Sequence, residues 1–245
     1  MPRPDGRSPD ALRPVRITPD FIGTADGSAL IEVGRTRVVC TATIEDGVPR
    51  WLAGRGTGWV TAEYGMLPAA TGRRTRRPGP GGENARAVEV RRLIGRALRA
   101  AVRLDALGPR TVTVDCDVLE ADGGTRTASV TGGWVALVRA LDAARRQGRL
   151  PPQPDPVVEA VAAVSCGLVE GEARLDLAYA EDSAAEVDVN VAMTAAGRLV
   201  EVQASAEKGA FSGADLGRLV GLARQGCRRL ADLQARARRA RRRTV

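Results

Sequence analysis

Histidine is absent from this chain of 245 residues, and Lys208 is its only lysine. Without an imidazole, the sequence excludes Ser-His-Asp and Cys-His nucleophiles, HExxH zinc sites and histidine acid/base catalysis. Any chemistry therefore uses carboxylates, arginines, hydroxyl groups, backbone amides or a bound metal ion. The 37 basic side chains, almost all arginine, outnumber the 29 acidic ones and give a formal charge of +8. Because a guanidinium group binds two phosphate oxygens at once, this excess predicts a polyanionic partner.

Several other features are scarce. Aromatic residues make up only 3% of the chain, so we do not expect RNA bases to stack along a sheet. No run approaches the roughly 18 apolar residues of a membrane span, and the first ten residues lack the apolar core of a secretion signal. We therefore expect a cytoplasmic protein with no membrane partner. Four widely spaced cysteines without a CxxC pair predict buried thiols rather than disulfides or a metal centre: Cys40, Cys116, Cys166 and Cys227.

The chain divides into two blocks of strand-like and helix-like segments. The proline-rich segment 150–156 separates them, and neither a helix nor a central strand crosses such a segment. We predict a single domain made of two halves, about 1–150 and 151–245. The first half contains a hairpin turning at Gly34, an arginine-faced helix ending near Gly108, a strand over 110–119 and a helix over about 127–147.

The second half repeats strands and then a helix. Strands are predicted near 157–169, 173–180, 185–193 and 199–206, followed by one long helix. Ser212 and Asp215 have capping-box spacing at its start. The arginine-rich tail, about 235–245, fits either a solvated terminus or an RNA-contacting segment.

The glycine turn before the second helix is a candidate anion site. Gly123 and Gly124 permit close backbone approach, and the helix that follows presents unpaired amides and a positive dipole end. Thr125 adds a hydroxyl donor, and Arg126 adds a fork of donors. Arg86, at the start of the arginine-faced helix, is a second candidate. For both positions, a plain structural turn or helix end remains the alternative.

Two aspartates form a candidate catalytic or metal site. On the strand 185–193, alternating valines leave Asp188 on the other face, where an aspartate is unfavourable without a functional reason. A continuous strand would place Asp182 roughly 20 Å away, so the turn-prone residues 181–183 would have to curl back for both to act together. Such a pair could hold Mg²⁺ or supply a general acid/base, whereas a polar sheet face beside a surface turn is the alternative.

A basic segment between ordered elements is a candidate RNA-binding loop. It is too rich in glycine and proline to fold locally, and it could contact a phosphate backbone without reading bases, or simply be a solvated loop. Its four arginines are Arg73, Arg74, Arg76 and Arg77.

Long stretches of the chain resemble the ribonuclease PH family of phosphate-dependent exoribonucleases. The likeness spans nearly the whole sequence: RPDGRSPDALRPV at 3–15, EDGVPRWLAGRGTGWVTAEYGMLP at 45–68, RRLIGRALRA at 91–100, VDCDVLEADGGTRTASVTG at 114–132 and EDSAAEVDVNVAMT at 181–194. The resemblance implies an α+β fold, with mixed sheets and helices packed between them in one compact domain. It also implies a homohexamer assembled as a trimer of dimers.

The resemblance also implies an activity, namely trimming of tRNA precursors at the 3′ end by inorganic phosphate, which releases nucleoside 5′-diphosphates. The family's acidic positions fall on Asp182 and Asp188, as acid/base and Mg²⁺ ligands. Asp182 is the better candidate for the proton donor, and Asp188 for the metal ligand. The phosphate-binding positions fall on Arg86, Gly124, Thr125 and Arg126.

Departures from the family pattern favour one alternative. Ala87 and Val88 replace polar residues beside Arg86, Ala69 replaces an arginine, and Ala204 replaces a glycine. A catalytically silent RNA-binding or scaffold relative in a ring is therefore the competing hypothesis. Because such relatives normally lose a catalytic carboxylate or a phosphate ligand, retention of both sets favours the active enzyme.

Overall fold

The first half of the chain forms a mixed sheet of five strands. In the computed structural model, which describes residues 3–77 and 85–240, the order is β1-β2-β3-β5-β4. β4 runs parallel to β5, and the other neighbours are antiparallel. The predicted hairpin at Gly34 is confirmed. The strands are β1 (Val15–Pro19), β2 (Gly27–Val33), β3 (Thr36–Asp46), β4 (Trp59–Met66) and β5 (Arg110–Glu120).

The second half forms an antiparallel sheet of four strands in the order β7-β6-β8-β9. The prediction of a strand over 173–180 is wrong beyond Leu175, because Asp176 adopts a φ of 54° and ends the strand. A short helix, α3 (Tyr179–Asp182), follows. The strands are β6 (Val161–Val169), β7 (Glu172–Leu175), β8 (Val187–Thr194) and β9 (Leu199–Ala206).

Three longer helices complete the described architecture: α1 (Ala85–Ala100), α2 (Thr125–Arg146) and α4 (Gly213–Arg239), with 3-10 turns at Arg50–Leu52 and Asp105–Leu107. Helix α1 ends earlier than the predicted end near Gly108. Val102 leaves the helix to bridge Val157, and the amide of Arg103 donates to the carbonyl of Pro156 at 2.7 Å. These contacts join the end of α1 to the segment that connects the two halves.

Helix α2 lies between the two sheets, and this arrangement sets the positions of the other layers. It packs on β2 and β3 and also contacts β6. Alternate β6 residues separate the layers: Ala163 shares a core with α2, while Ala162 and Val164 share one with α4. Since side chains alternate across a strand, β6 is apolar on both faces. The second sheet is therefore covered by α2 on one face and by α4 on the other.

Helix α4 begins as predicted. The Ser212 hydroxyl accepts the amide of Asp215 at 3.1 Å, and the Asp215 carboxylate accepts the amide of Ser212 at 3.0 Å, so both members of the capping box are made. The helix continues to Arg239, which places residues 235–239 of the predicted tail in a helix, whereas residues 241–245 lie outside the described residues. All four cysteines are buried and free, as expected.

No helix within the described residues is both long enough and apolar enough to cross a membrane.

Candidate active site

The glycine turn between β5 and α2 lies directly against the second half of the chain. Gly123 and Gly124 have φ values of 76° and 68°, in the left-handed region that favours glycine. A Cβ atom on Gly123 would lie 2.6 Å from the carbonyl oxygen of Leu177, just before α3. Glycine is thus required both by the turn and by this close approach. The start of α2 therefore lies beside the segment that carries Asp182.

Thr125 and Tyr64 form a hydroxyl pair at the start of α2. Tyr64 is on β4, and its hydroxyl lies 2.9 Å from that of Thr125 in a buried environment. Burial raises the pKa of Tyr64, while the Thr125 hydrogen bond and the charges of Arg86 and Arg126 lower it. The two arginines predicted to bind phosphate therefore act on the same hydroxyl pair. Tyr64 was not among the predicted site residues.

Arg126 points from the first turn of α2 toward β9. Its Nη1 donates to Oε1 of Gln203 at 3.3 Å and lies 3.6 Å from Oε1 of Glu89 on α1. Gln203 in turn donates to Glu201 at 3.2 Å. Neither Gln203 nor Glu89 is predicted from the sequence, because contacts between residues so far apart in the chain leave no local pattern. Arg126 is held between α1 and the second sheet.

Asp182 and Asp188 are brought together by α3. The chain forms one helical turn ending at Asp182, turns through residues 183–186 and enters β8, which removes the separation that a continuous strand would impose. Burial raises the pKa of Asp182, whereas the charges of Arg126, Arg86 and Arg13 oppose that rise. One electrostatic environment therefore includes the acidic residues and both predicted phosphate arginines.

Of the two carboxylates, Asp188 lies in the environment that is less favourable for a negative charge. Burial and the negative charge of Asp182 raise its pKa to about 6, against the lowering effects of Arg126 and of a hydrogen bond from Asn190. Nδ2 of Asn190 donates to Oδ2 of Asp188 at 3.0 Å. Oδ1 of Asp188 is buried and has no hydrogen-bond partner in the described parts of the chain. A buried anionic oxygen without a partner is costly unless a cation or a proton reaches it.

These two carboxylates could form part of a Mg²⁺ site. Mg²⁺ usually retains waters and takes one or two carboxylates together with substrate phosphates. Asp182 and Asp188 could supply those carboxylates, with the unpartnered Oδ1 of Asp188 as the clearest ligand. Residues 3–77 and 85–240 contain no cluster of three or more acidic, cysteine or histidine residues arranged to hold a metal. The donor set therefore suits a metal ion that is shared with a substrate.

The N-terminal segment supports α3 through buried ion pairs. Arg3 binds both carboxylate oxygens of Glu181 at 2.8 Å, and Arg7 and Arg13 lie 3.4 Å and 2.7 Å from the carboxylate of Asp176. Glu181 immediately precedes Asp182, so this network fixes the backbone that carries the predicted acid. The sequence predicts no role for these N-terminal residues, which belong to the stretch 3–15 that resembles the family.

The arginines of the predicted RNA-binding loop are all exposed: Arg73, Arg74, Arg76 and Arg77. Within the described ranges none of them forms an ion pair with another side chain. The base of the loop is fixed beside the glycine turn, since the buried Ala70 accepts the amide of Ala121 at 2.8 Å. The loop therefore carries four solvated positive charges close to the turn that leads into α2.

A second basic surface lies between β4 and α1. A cavity of about 470 Å³ is lined there by Arg91, Arg92, Arg96 and Arg99 together with Trp59. The guanidinium of Arg99 stacks 4.3 Å from the centre of the Trp59 ring. None of the residues predicted for catalysis or phosphate binding lines this cavity. The cavity shows that the arginine face predicted for α1 lines a groove.

The departure at Ala204 has a simple structural outcome. Ala204 lies in regular β9 opposite Val189, and it is not among the described residues with positive φ. An alanine is therefore unstrained at this position, and the replacement of a glycine does not distort the strand.

Comparison with known proteins matches both halves of the chain. The model of the 3′ exoribonuclease family, domain 1, matches residues 11–141, and the model of domain 2 matches residues 159–226. The chain belongs to the 3′ exoribonuclease family. The predicted family and fold class are thereby confirmed.

Solved structures of exosome proteins share this fold. The Archaeoglobus fulgidus exosome with RNA bound to the active site matches with a TM-score of 0.79 and 26% identity, over 94% of this chain and 92% of that one. Rice (Oryza sativa) Rrp46 matches with a TM-score of 0.76 and 20% identity, over 95% and 98%. An archaeal exosome core matches with a TM-score of 0.76 and 23% identity, over 96% of this chain and 91% of that one. The last two likenesses are evidence of the fold alone.

Proposed function

We propose that this protein is a phosphate-dependent 3′-to-5′ exoribonuclease that trims RNA 3′ ends, with tRNA precursors as substrates. The observation that carries the proposal is the meeting of two chemically different groups across the halves. A helix N-terminus with two arginines comes from the first half, and two buried carboxylates come from the second. The charges of Arg86 and Arg126 act on Asp182 directly. Anion binding and acid chemistry are thus combined in one place.

In the proposed reaction, an oxygen of inorganic phosphate attacks the phosphorus of the last phosphodiester. The bond from that phosphorus to the 3′-oxygen of the preceding nucleotide breaks, and the 3′-oxygen leaves with the electron pair and takes a proton. A nucleoside 5′-diphosphate and an RNA shorter by one nucleotide result. The reverse reaction adds a nucleotide from a diphosphate and releases phosphate.

The first half would bind the attacking phosphate. The amides at the start of α2, the Thr125 hydroxyl and the guanidinium groups of Arg86 and Arg126 are the donors for its oxygens. Two anions repel each other as they approach, so this positive cluster both orients the nucleophile and offsets charge in the transition state. Gln203 and Glu89, which contact Arg126, would keep its guanidinium oriented.

The second half would supply the acid and the metal ligands. Asp182, whose pKa is raised by burial, would donate the proton to the leaving 3′-oxygen. Asp188, with its unpartnered Oδ1, would be the principal Mg²⁺ ligand, and Asp182 would complete the pair. When bound, Mg²⁺ would neutralise charge on the phosphate oxygens that react.

RNA would be held by charge rather than by base recognition. The basic loop begins at Ala70 beside the glycine turn and carries four solvated arginines. Phosphate contacts from such arginines position a strand without selecting its sequence. The similarity to exosome structures supports assembly into a ring, which we propose to be a homohexamer built as a trimer of dimers. A cytoplasmic location remains a prediction.

One observation favours a second function, that of a silent ring component. Ala87 and Val88 follow Arg86 at positions where the family usually has polar residues, so the surroundings of this arginine depart from the family pattern. Against it, the chain keeps Asp182, Asp188 and the phosphate-binding residues in one place.

One assay separates the two functions. The purified protein is incubated with a short RNA and Mg²⁺, with and without inorganic phosphate, and products are resolved by chromatography and gel electrophoresis. Nucleoside diphosphates and shortened RNA that appear only with phosphate support the enzyme. RNA binding with no release of nucleotides under either condition would favour the silent component, and release of monophosphates without phosphate would indicate a hydrolase.

A further inference from the structure

We propose that Arg13 is a positioning residue for the phosphate site. Its side chain ties the glycine turn before α2 to Asp176, which begins the segment leading to α3. In this way it would hold the phosphate-binding amides of one half against the acid-bearing turn of the other. This inference rests on the proposed function, because it concerns the phosphate of that reaction.

Arg13 makes a dense set of contacts with Asp176. Its Nε and Nη2 donate to Oδ2 and Oδ1 of Asp176 at 3.1 Å and 2.7 Å, and its backbone amide donates to Oδ2 at 2.7 Å. Both side chains are about 95% buried. A buried, two-pronged ion pair of this kind has one favourable geometry, so Arg13 fixes where Asp176 lies.

The same guanidinium also binds the glycine turn. Nη1 donates to the carbonyl of Asp122, and Nη2 reaches the carbonyl of Gly123 at 3.4 Å. The Thr36 hydroxyl donates to the carbonyl of Gly123 at 2.7 Å and holds it from a second direction. In a trans peptide the carbonyl and the following amide point in opposite directions. Fixing these carbonyls on the Arg13 side therefore directs the amides of Gly123 and Gly124 away from it.

Asp176 transmits the constraint to the acidic segment. Its φ of 54° is a strained conformation for aspartate, and its amide donates to the carbonyl of Ser165 at 2.7 Å. Three residues further on, the amide of Tyr179 donates to Oδ1 of Asp122 at 3.3 Å. With no space for a Cβ at Gly123, the two turns cannot move independently. A shift of the Arg13 side chain would therefore displace the backbone amides of the glycine turn relative to Asp182.

The decisive variant is Arg13→Lys. It keeps a positive charge beside Asp176, but a single ammonium group cannot span both carboxylate oxygens and two carbonyls. Misplacement of a reacting group by about 1 Å can cost roughly hundredfold in rate. We expect the KM for phosphate to rise at least about tenfold, with a smaller change in kcat and an unchanged KM for RNA. Arg13→Ala with added guanidinium at non-denaturing concentration should recover part of the phosphate response.

Arg7→Lys is the matched control. Arg7 also contacts Asp176, at 3.4 Å, but within the described residues its side chain donates no hydrogen bond to the glycine turn. The KM of Arg7→Lys for phosphate should therefore stay within about twofold of the wild-type value. A merely structural role for Arg13 predicts a lower melting temperature and less active protein with the phosphate KM unchanged. That result, or a wild-type phosphate response in folded Arg13→Lys, would overturn the proposal.

Direct calorimetry with inorganic phosphate keeps this inference separate from the proposed function. If the wild type binds phosphate and Arg13→Lys binds it more weakly, the inference stands even when neither protein degrades RNA. If the wild type degrades RNA with phosphate but Arg13→Lys binds phosphate normally, the inference fails and the function stands. A wild type that binds no phosphate would refute both.

Discussion

Replacing Asp188 with asparagine should stabilise the metal-free protein at neutral pH while abolishing its activity. The carboxylate is buried beside Asp182, which raises its pKa from an ordinary 3.8 to about 6. At 1.36 kcal/mol per pH unit, this difference corresponds to about 3 kcal/mol of unfavourable free energy in the folded, ionised state. Asparagine carries no charge to desolvate, and its amide oxygen can still accept the hydrogen bond from Asn190.

The sign of the pH dependence follows from the direction of this pKa change. Because the folded state binds the proton more tightly than the unfolded state, the folded state holds more protons between about pH 4 and 6. Stability therefore decreases as the pH rises through this window, and the whole cost is present above pH 6. Asp188→Asn should match the wild type below pH 4 and exceed it by up to about 3 kcal/mol at pH 8, or roughly 6–12 °C in Tm.

Urea unfolding in the presence of a chelator, at several pH values between 4 and 8, would measure this difference. Asp46→Asn is the matched control, since that carboxylate is 93% exposed and should give a small, nearly constant change. Added Mg²⁺ should then stabilise the wild type and leave Asp188→Asn unchanged, because ligand binding stabilises only a protein that binds it. An Asp188→Asn protein that is no more stable than the wild type at pH 8 would refute the reasoning.

Three further predictions concern the proposed reaction. Asp182→Asn should lower phosphorolysis at least about hundredfold with little change in RNA affinity, and unchanged turnover would remove Asp182 from the chemistry. Arg126→Ala should raise the phosphate concentration for half-maximal rate about 10- to 100-fold, with partial recovery in Arg126→Lys; a normal phosphate response would exclude Arg126 from the site. Changing all four loop arginines to alanine should reduce the slope of log affinity against log salt by up to about 3 for single-stranded RNA, while wild-type salt dependence would show that the loop does not bind RNA.

The features that local sequence pattern predicted well are those set by neighbours in the chain. The alternation of valines in β8 correctly placed Asp188 on the opposite face, and the Ser212–Asp215 spacing correctly placed the start of α4. Both depend on side-chain periodicity or on hydrogen bonds over three residues, which a single sequence displays directly. The sequence also indicated that residues 181–183 must curl back if Asp182 and Asp188 are to act together, and α3 provides this turn.

The missed features depend on contacts between distant parts of the chain. The strand predicted to 180 ends at Leu175 because Asp176 is held by Arg13 and by Ser165, which are 163 and 11 positions away. Helix α1 ends at Ala100 because the chain turns to pair Val102 with Val157. In both cases the local pattern permits continuation, and a tertiary contact overrides it. Gln203 and Tyr64 were missed for the same reason.

The position of the candidate site follows from the layered fold. Helix α2 is buried between the sheets, so the amides at its N-terminus can reach a ligand only at the edge of these layers. Contact with the second half fixes the turn before the helix at that edge. The two aspartates need a different environment. It must be buried enough to raise the pKa of Asp188, yet close enough to Arg126 for the positive charge of that arginine to act on the carboxylate. Neither half alone provides both conditions. Since the arginines and the carboxylates come from different halves, their relative position depends on the contacts between the halves, among them the buried Arg3–Glu181 and Arg13–Asp176 ion pairs.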